Sequence, residues 1–187
     1  MKKKKFIKIA KDVINLEIKA LNKLKNNLNN SFNLAIEQIV KCQSKVILCG
    51  VGKSGLIANK IAATLSSVGT PSFYLSASDS SHGDLGSISK KDILILISNS
   101  GETDELKNII QFANRNKILL IGIVSKKESI LYKASNIKLL ILNAAAVLQR
   151  VPTFSGLVNP LKIRIFGPSC VIGANGGFSA IAKTPLW

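Results

Sequence analysis

Three short stretches of the chain carry residue types that bind phosphate and move protons. The first is Gly50-Val51-Gly52-Lys53-Ser54-Gly55. Glycines here permit a tight turn and close backbone approach to a ligand. A helix opening just beyond them offers N–H groups and the positive end of its dipole to a phosphate. The spacing fits GxGxxG. It fails the P-loop, which needs glycine at position 47, where Ile47 stands. A nicotinamide dinucleotide site also wants an acid at the end of the next strand. The chain there reads Leu75-Ser76-Ala77-Ser78, with Asp79 only beyond it. The plain alternative is a strand-to-helix turn with no ligand.

The second stretch is Ser98-Asn99-Ser100-Gly101-Glu102-Thr103. Ser98, Ser100 and Thr103 can each donate a hydroxyl to a phosphate oxygen, and Gly101 allows the sharp turn. An ordinary helix N-cap explains one hydroxyl of this set but not three. The nearby acids Glu102 and Asp104 disfavour bare anion binding unless one has a chemical task. The third stretch, Ser81-His82-Gly83-Asp84-Leu85-Gly86, holds the single histidine of the chain. A lone histidine is usually structural. In a polar, glycine-flanked loop it is suited to shuttling protons near neutral pH.

These stretches need elements that bring them together, and the hydrophobic pattern supplies them. Apolar residues recur every three or four positions from Ile7 to Leu28, and again from Phe32 to Val40, with Asn29, Asn30 and Ser31 between. Two helices follow, packing on the sheet or on another subunit. The remainder alternates. Strands are predicted over Lys45–Cys49, Phe73–Leu75, Asp92–Ile97, Ile118–Val124 and Ile137–Leu142, and helices over 53–68, 103–114 and 128–135. Gly69 and Pro71 stop the first of these helices. Strands alternating with helices make a parallel sheet covered on both faces. All three motifs then fall at the carboxyl ends of strands, where such sheets bind ligands.

The 187 residues suffice for one domain, and 47% hydrophobic content excludes wholesale disorder. No apolar run reaches the roughly 18 residues of a membrane span. The basic N-terminus lacks a signal-peptide cleavage site. The net charge of +16 comes almost wholly from lysine. No basic region is interleaved with aromatics, so a nucleic-acid or membrane partner is not expected, and the charge reads as compositional bias. A positive field also favours an anionic small molecule. Cys42, Cys49 and Cys170 form neither a disulfide framework nor a metal pair and suit a reducing cytoplasm. One histidine excludes a multi-histidine metal site within one chain. After Asn143 the composition changes: residues 143–187 contain no acid and are rich in Gly, Ala, Pro and Ser. The expected organisation is a helical segment over 1–42, an α/β domain over 43–142 and a divergent, loop-rich tail over 143–187.

Taken together, GVGKSGLIANKIAATLSSVGTPSFYL, SHGDLG and ISNSGET resemble the sugar isomerase (SIS) domain of bacterial arabinose-5-phosphate isomerases over about residues 43–142. The resemblance implies a three-layer αβα sandwich on a five-stranded parallel sheet, tetrameric assembly, no cofactor and no metal. It implies interconversion of ribulose 5-phosphate and arabinose 5-phosphate, on the route to the Kdo sugar of lipopolysaccharide. It assigns Ser54, Ser98, Asn99, Ser100 and Thr103 to the phosphate pocket and catalytic roles to Lys53, Glu102 and His82. Gly50, Gly52, Gly55 and Gly101 shape the loops. The chain departs from the family after the fifth strand. The glutamate and histidine that the family places there have no counterpart, because no acid follows Glu128 and no histidine follows His82. With the change in composition, this suggests a foreign tail from a frameshift, truncation or fusion. The second reading is therefore a SIS module that binds a phosphosugar without turning it over.

Overall fold

The computed structural model describes residues 2–78 and 84–141. The expectations for His82, for Cys170 and for the tail over 143–187 lie outside them. Two helices open the chain, α1 (Lys2–Asn27) and α2 (Asn30–Val40). Asn29 makes the break between them, its side-chain oxygen capping α2 by accepting from the Ser31 N–H at 2.9 Å. The α/β body follows as β1 (Val46–Gly50), α3 (Lys53–Ser67), β2 (Ser72–Ser76), β3 (Ile93–Ser98), α4 (Asp104–Arg115), β4 (Leu119–Val124), α5 (Ile130–Ala134) and β5 (Ile137–Leu140). A short 3-10 turn, Asp84–Ser87, interrupts the connection from β2 to β3.

All five strands are parallel, in the order β2-β1-β3-β4-β5. Alternation along β1 and β3 divides the core into two layers. Ile47, Cys49, Leu94 and Leu96 face Leu106, Ile109, Ala113 and Leu131 of α4 and α5. Val46, Leu48, Ile93, Ile95 and Ile97 face Ala35, Ala58 and Ala62 of α2 and α3. Buried runs such as ILILIS in β3 are what a sheet covered on both faces requires. The three-layer αβα architecture is therefore the one expected.

Element bounds in the α/β body differ from the sequence expectation by one or two residues. Helix α5 starts at Ile130 rather than 128, because Ser129 is its cap and accepts from the Tyr132 N–H. Helix α1 does not pack its apolar stripe on the sheet. Ile7, Ile14, Ile18 and Leu21 are between 49% and 64% exposed, while α2 occupies the sheet face beside β5. None of the described helices is long and apolar enough to cross a membrane.

The amino edge of the sheet is locked by Asp92. Its buried carboxylate accepts from the Ser44 hydroxyl at 2.6 Å and from the Ser89 N–H at 2.6 Å, and pairs with Lys45 Nζ at 3.0 Å. Burial opposes its ionisation. The hydrogen bonds from Ser44, Ser89 and Lys45 outweigh that cost and hold the carboxyl below its ordinary range.

Candidate functional site

The order of the strands creates the site. From β1 the chain crosses to β2 through α3 on one face, and from β3 it crosses to β4 through α4 on the other. The strand order reverses at the β1/β3 pair, the point at which sheets of this kind bind ligands beyond the carboxyl ends of their strands. Gly50 at the end of β1 pairs with Ile97 of β3, next to Ser98. The corners 50–55 and 98–103 are thus neighbours at one edge of the sheet.

The β1–α3 corner is built by close approach. A Cβ on Gly50 would stand 2.8 Å from the Ser54 carbonyl carbon, and one on Gly55 would stand 2.7 Å from the Gly50 oxygen. Helix α3 can therefore start almost on top of the strand end. Tyr74 Oη donates to the Gly50 oxygen at 3.2 Å and fastens the corner to β2. Gly52 occupies the cap position with φ +56 and brings no side-chain cap. Lys53 and Ser54 follow in the first turn of α3, Lys53 exposed and Ser54 half-buried.

The β3–α4 corner is organised by its own hydroxyls. Ser98, 4% exposed, places its Oγ 3.0 Å from the Gly101 N–H, which donates to it, and 3.1 Å from Thr103 Oγ1. Ser100 Oγ accepts from the Glu102 N–H at 3.3 Å. Thr103 holds the cap position of α4 and makes no side-chain cap bond. Its hydroxyl is turned to Ser98, so ordinary capping does not account for it. Asn99 is exposed.

Glu102 is already engaged: its Oε1 accepts from the Ile130 N–H at 2.9 Å, at the start of α5. Two further contacts join the same corner to the segment after β4. The Asn99 oxygen accepts from Ser125 Oγ at 2.6 Å and from the Ser125 N–H at 3.2 Å, and the Gly101 oxygen accepts from the Leu131 N–H at 3.1 Å. Ser125 and Ser129 escaped the sequence reading. The signal was available, since Ser125-Lys126-Lys127 follows β4 as Asn99-Ser100-Gly101 follows β3, at the same carboxyl edge. Cys49 is no part of the chemistry. It is buried in β1, and that burial pushes its thiol up to about 12. A cleft of about 280 Å³ at the amino ends of β4 and β5, lined by Asn114, Lys117, Ile118, Leu119 and Asn136, lies at the opposite edge and gathers none of these groups.

A family model for the SIS domain matches residues 39–162. The chain belongs to the SIS domain family. The SIS match runs beyond the described residues, into the segment of changed composition. Among SIS relatives, an arabinose 5-phosphate isomerase, KdsD, of Yersinia pestis is 45% identical over 136 residues, covering 73% of this chain and 42% of that protein. An uncharacterized protein of Rickettsia prowazekii is 46% identical over 151 residues, covering 80% of this chain and 47% of its own length. The chain thus spans about half the length of the curated relatives it matches. Among solved structures, an E. coli CFT073 protein in complex with arabinose 5-phosphate superposes with a TM-score of 0.71 at 37% identity, covering 76% of each chain.

Proposed function

We propose that this SIS domain binds a five-carbon sugar phosphate at the β1/β3 crevice and belongs to an aldose–ketose isomerase. The reaction is the interconversion of ribulose 5-phosphate and arabinose 5-phosphate. One observation carries the binding part: two corners on neighbouring strand ends, one with an α-helix N-terminus, the other with three hydroxyls of which Thr103 does not cap its helix. The names of the KdsD relatives and the sugar phosphate bound by the E. coli CFT073 protein support the choice of sugar.

Ser98, Ser100 and Thr103, with Ser54 across the crevice and Asn99 beside it, take the phosphoryl oxygens. Lys53 stands at the start of α3 and stabilises negative charge on the enediolate as it develops. The isomerisation moves a proton between C1 and C2 and needs a base there and an acid at the oxygens. A positioned acid–base pair supplies roughly 10²- to 10⁴-fold. Glu102 and His82 are the proposed acid–base groups. Glu102 Oε1 accepts from the Ile130 N–H, which fixes the carboxylate and leaves Oε2 to exchange the proton. The exposed stripe of α1 fits burial against another copy of the chain, in keeping with a homo-oligomer.

A second reading has its own support. One Glu102 oxygen is engaged at the start of α5, and residues 143–187 contain no acid and no histidine. On that reading the chain binds phosphosugar without turnover. A coupled assay on the purified chain separates the two: consumption of ribulose 5-phosphate identifies an isomerase. A thermal shift with arabinose 5-phosphate but no turnover identifies a binding module. Neither shift nor turnover refutes both.

A further inference from the structure

The contacts between the β3–α4 corner and the segment after β4 do more than join two loops. Accepting the phosphate site proposed above, we propose that Ser125 is a positioning residue: by holding the Asn99 carbonyl from the β4 side, it turns the Ser100 N–H into the crevice as a phosphoryl donor.

The geometry is that of one peptide unit. Asn99 oxygen accepts two hydrogen bonds, both from Ser125, at 2.6 Å from the hydroxyl and 3.2 Å from the N–H. Ser125 directly follows β4, whose last residue, Val124, pairs with Ser98. The Asn99 carbonyl therefore points sideways, toward β4. The Asn99–Ser100 peptide is trans and planar, so its C=O and N–H point in opposite directions. The Ser100 N–H must point away from β4. The neighbour of β3 on that side is β1, which carries the 50–55 corner. Among the described residues, no hydrogen bond from the Ser100 N–H is seen. The N–H groups after it are used within the corner: Gly101 donates to Ser98 Oγ and Glu102 donates to Ser100 Oγ. Of these three consecutive amides, Ser100 alone is left for a ligand, and the group that aims it lies on the next strand.

An isolated peptide can rotate its N–H away from an anion. Here rotation breaks two hydrogen bonds at once, so the donor is set before the ligand arrives, and preorganised donors bind without that reorganisation cost. The hydroxyl bond is the shorter of the two and the one a side-chain change removes. The backbone bond remains in both Ser125→Ala and Ser125→Thr.

The test compares wild type, Ser125→Ala and Ser125→Thr for arabinose 5-phosphate affinity by calorimetry, with thermal melts and the amide spectrum of the β3–α4 corner. Loss of one hydrogen bond to a preset donor predicts about three- to tenfold weaker binding in Ser125→Ala. Ser125→Thr, which keeps the hydroxyl, binds within about twofold of wild type on the same grounds. The Ser100 amide resonance moves in Ser125→Ala and returns in Ser125→Thr. Equal affinity of wild type and Ser125→Ala overturns the role of Ser125 alone. So does a loss of affinity in Ser125→Ala that Ser125→Thr does not restore while restoring the melting temperature. A wild-type chain that binds no phosphosugar overturns the proposed function and this role with it.

Discussion

Gly101→Ala tests whether the β3–α4 corner is held by packing against α5. Gly101 has φ +68, a region that costs an L-residue about 1–2 kcal/mol. A Cβ placed there would come 2.6 Å from Ser129 Cβ and nearer still to Ser129 Oγ, with Val124 Cγ1 at 3.2 Å. Ser129 is 1% exposed and tied at both ends, donating to the Lys126 oxygen and accepting from the Tyr132 N–H, so it cannot easily yield. Overpacking of this kind costs about 1–3 kcal/mol. Together the two effects predict a loss of about 2–5 kcal/mol. At about 2–4 °C per kcal/mol for a body of this size, the melting temperature falls by roughly 4–20 °C. Ser129→Gly removes the obstructing atoms and sacrifices the cap of α5, a change worth a few tenths of a kcal/mol for serine to glycine. The double variant Gly101→Ala/Ser129→Gly therefore recovers most of the packing cost and keeps only the backbone strain. Melting curves of the four proteins measure this as a coupling of opposite sign to the single effects. A Gly101→Ala melt within a degree of wild type refutes the reasoning. So does a double variant that melts at the sum of the two single losses.

Other expectations are checked separately. Ser100→Ala/Thr103→Ala should weaken arabinose 5-phosphate binding by about 10²- to 10⁴-fold, about ten- to a hundredfold for each hydrogen bond to a charged group, with the melting temperature nearly kept. Unchanged calorimetric affinity would reduce the corner to a helix start. Asp92→Asn should cost about 2–4 kcal/mol, because one amide oxygen replaces a carboxylate that serves three donors, and its own NH₂ must then face one of them. The Asp92 carboxyl is depressed in the folded chain, so its contribution is complete above the unfolded value of about 3.9 and vanishes as the pH falls through the folded value. Denaturant midpoints measured from pH 6 to pH 3 should fall more for wild type than for Asp92→Asn. Equal slopes would show that Asp92 is not the acid-labile clasp. Cys49, with its thiol pushed up to about 12, should resist alkylation at pH 8 until the chain unfolds, whereas half-buried Cys42 reacts first. Peptide mass spectrometry after a timed iodoacetamide exposure reads the order, and Cys49 labelled before Cys42 in the folded chain would refute it.

The alternation of buried strands with amphipathic helices was legible residue by residue. β3 reads as an unbroken apolar run because both its faces are covered, and α4 shows its buried positions, Leu106, Ile109, Ile110 and Ala113, at helical spacing. Those patterns are local, and so was the clustering of glycines and hydroxyls at 50–55 and 98–103. The strand order is not local. Whether the two corners share a crevice depends on β3 inserting beside β1 rather than beside β2, a choice made by which faces the crossovers cover. Hydrogen-bond partners distant in sequence were equally invisible. Nothing in the run Ser98 to Thr103 announces that Ser125 will hold the Asn99 carbonyl or that Glu102 will reach the start of α5. Nor does the periodicity of α1 say which surface its stripe meets. The sequence alone determined the layers and the glycine- and hydroxyl-bearing corners proposed to grip a phosphoryl group. Only the tertiary structure decided which of them face one another, because side-chain periodicity encodes what is buried and not what it is buried against.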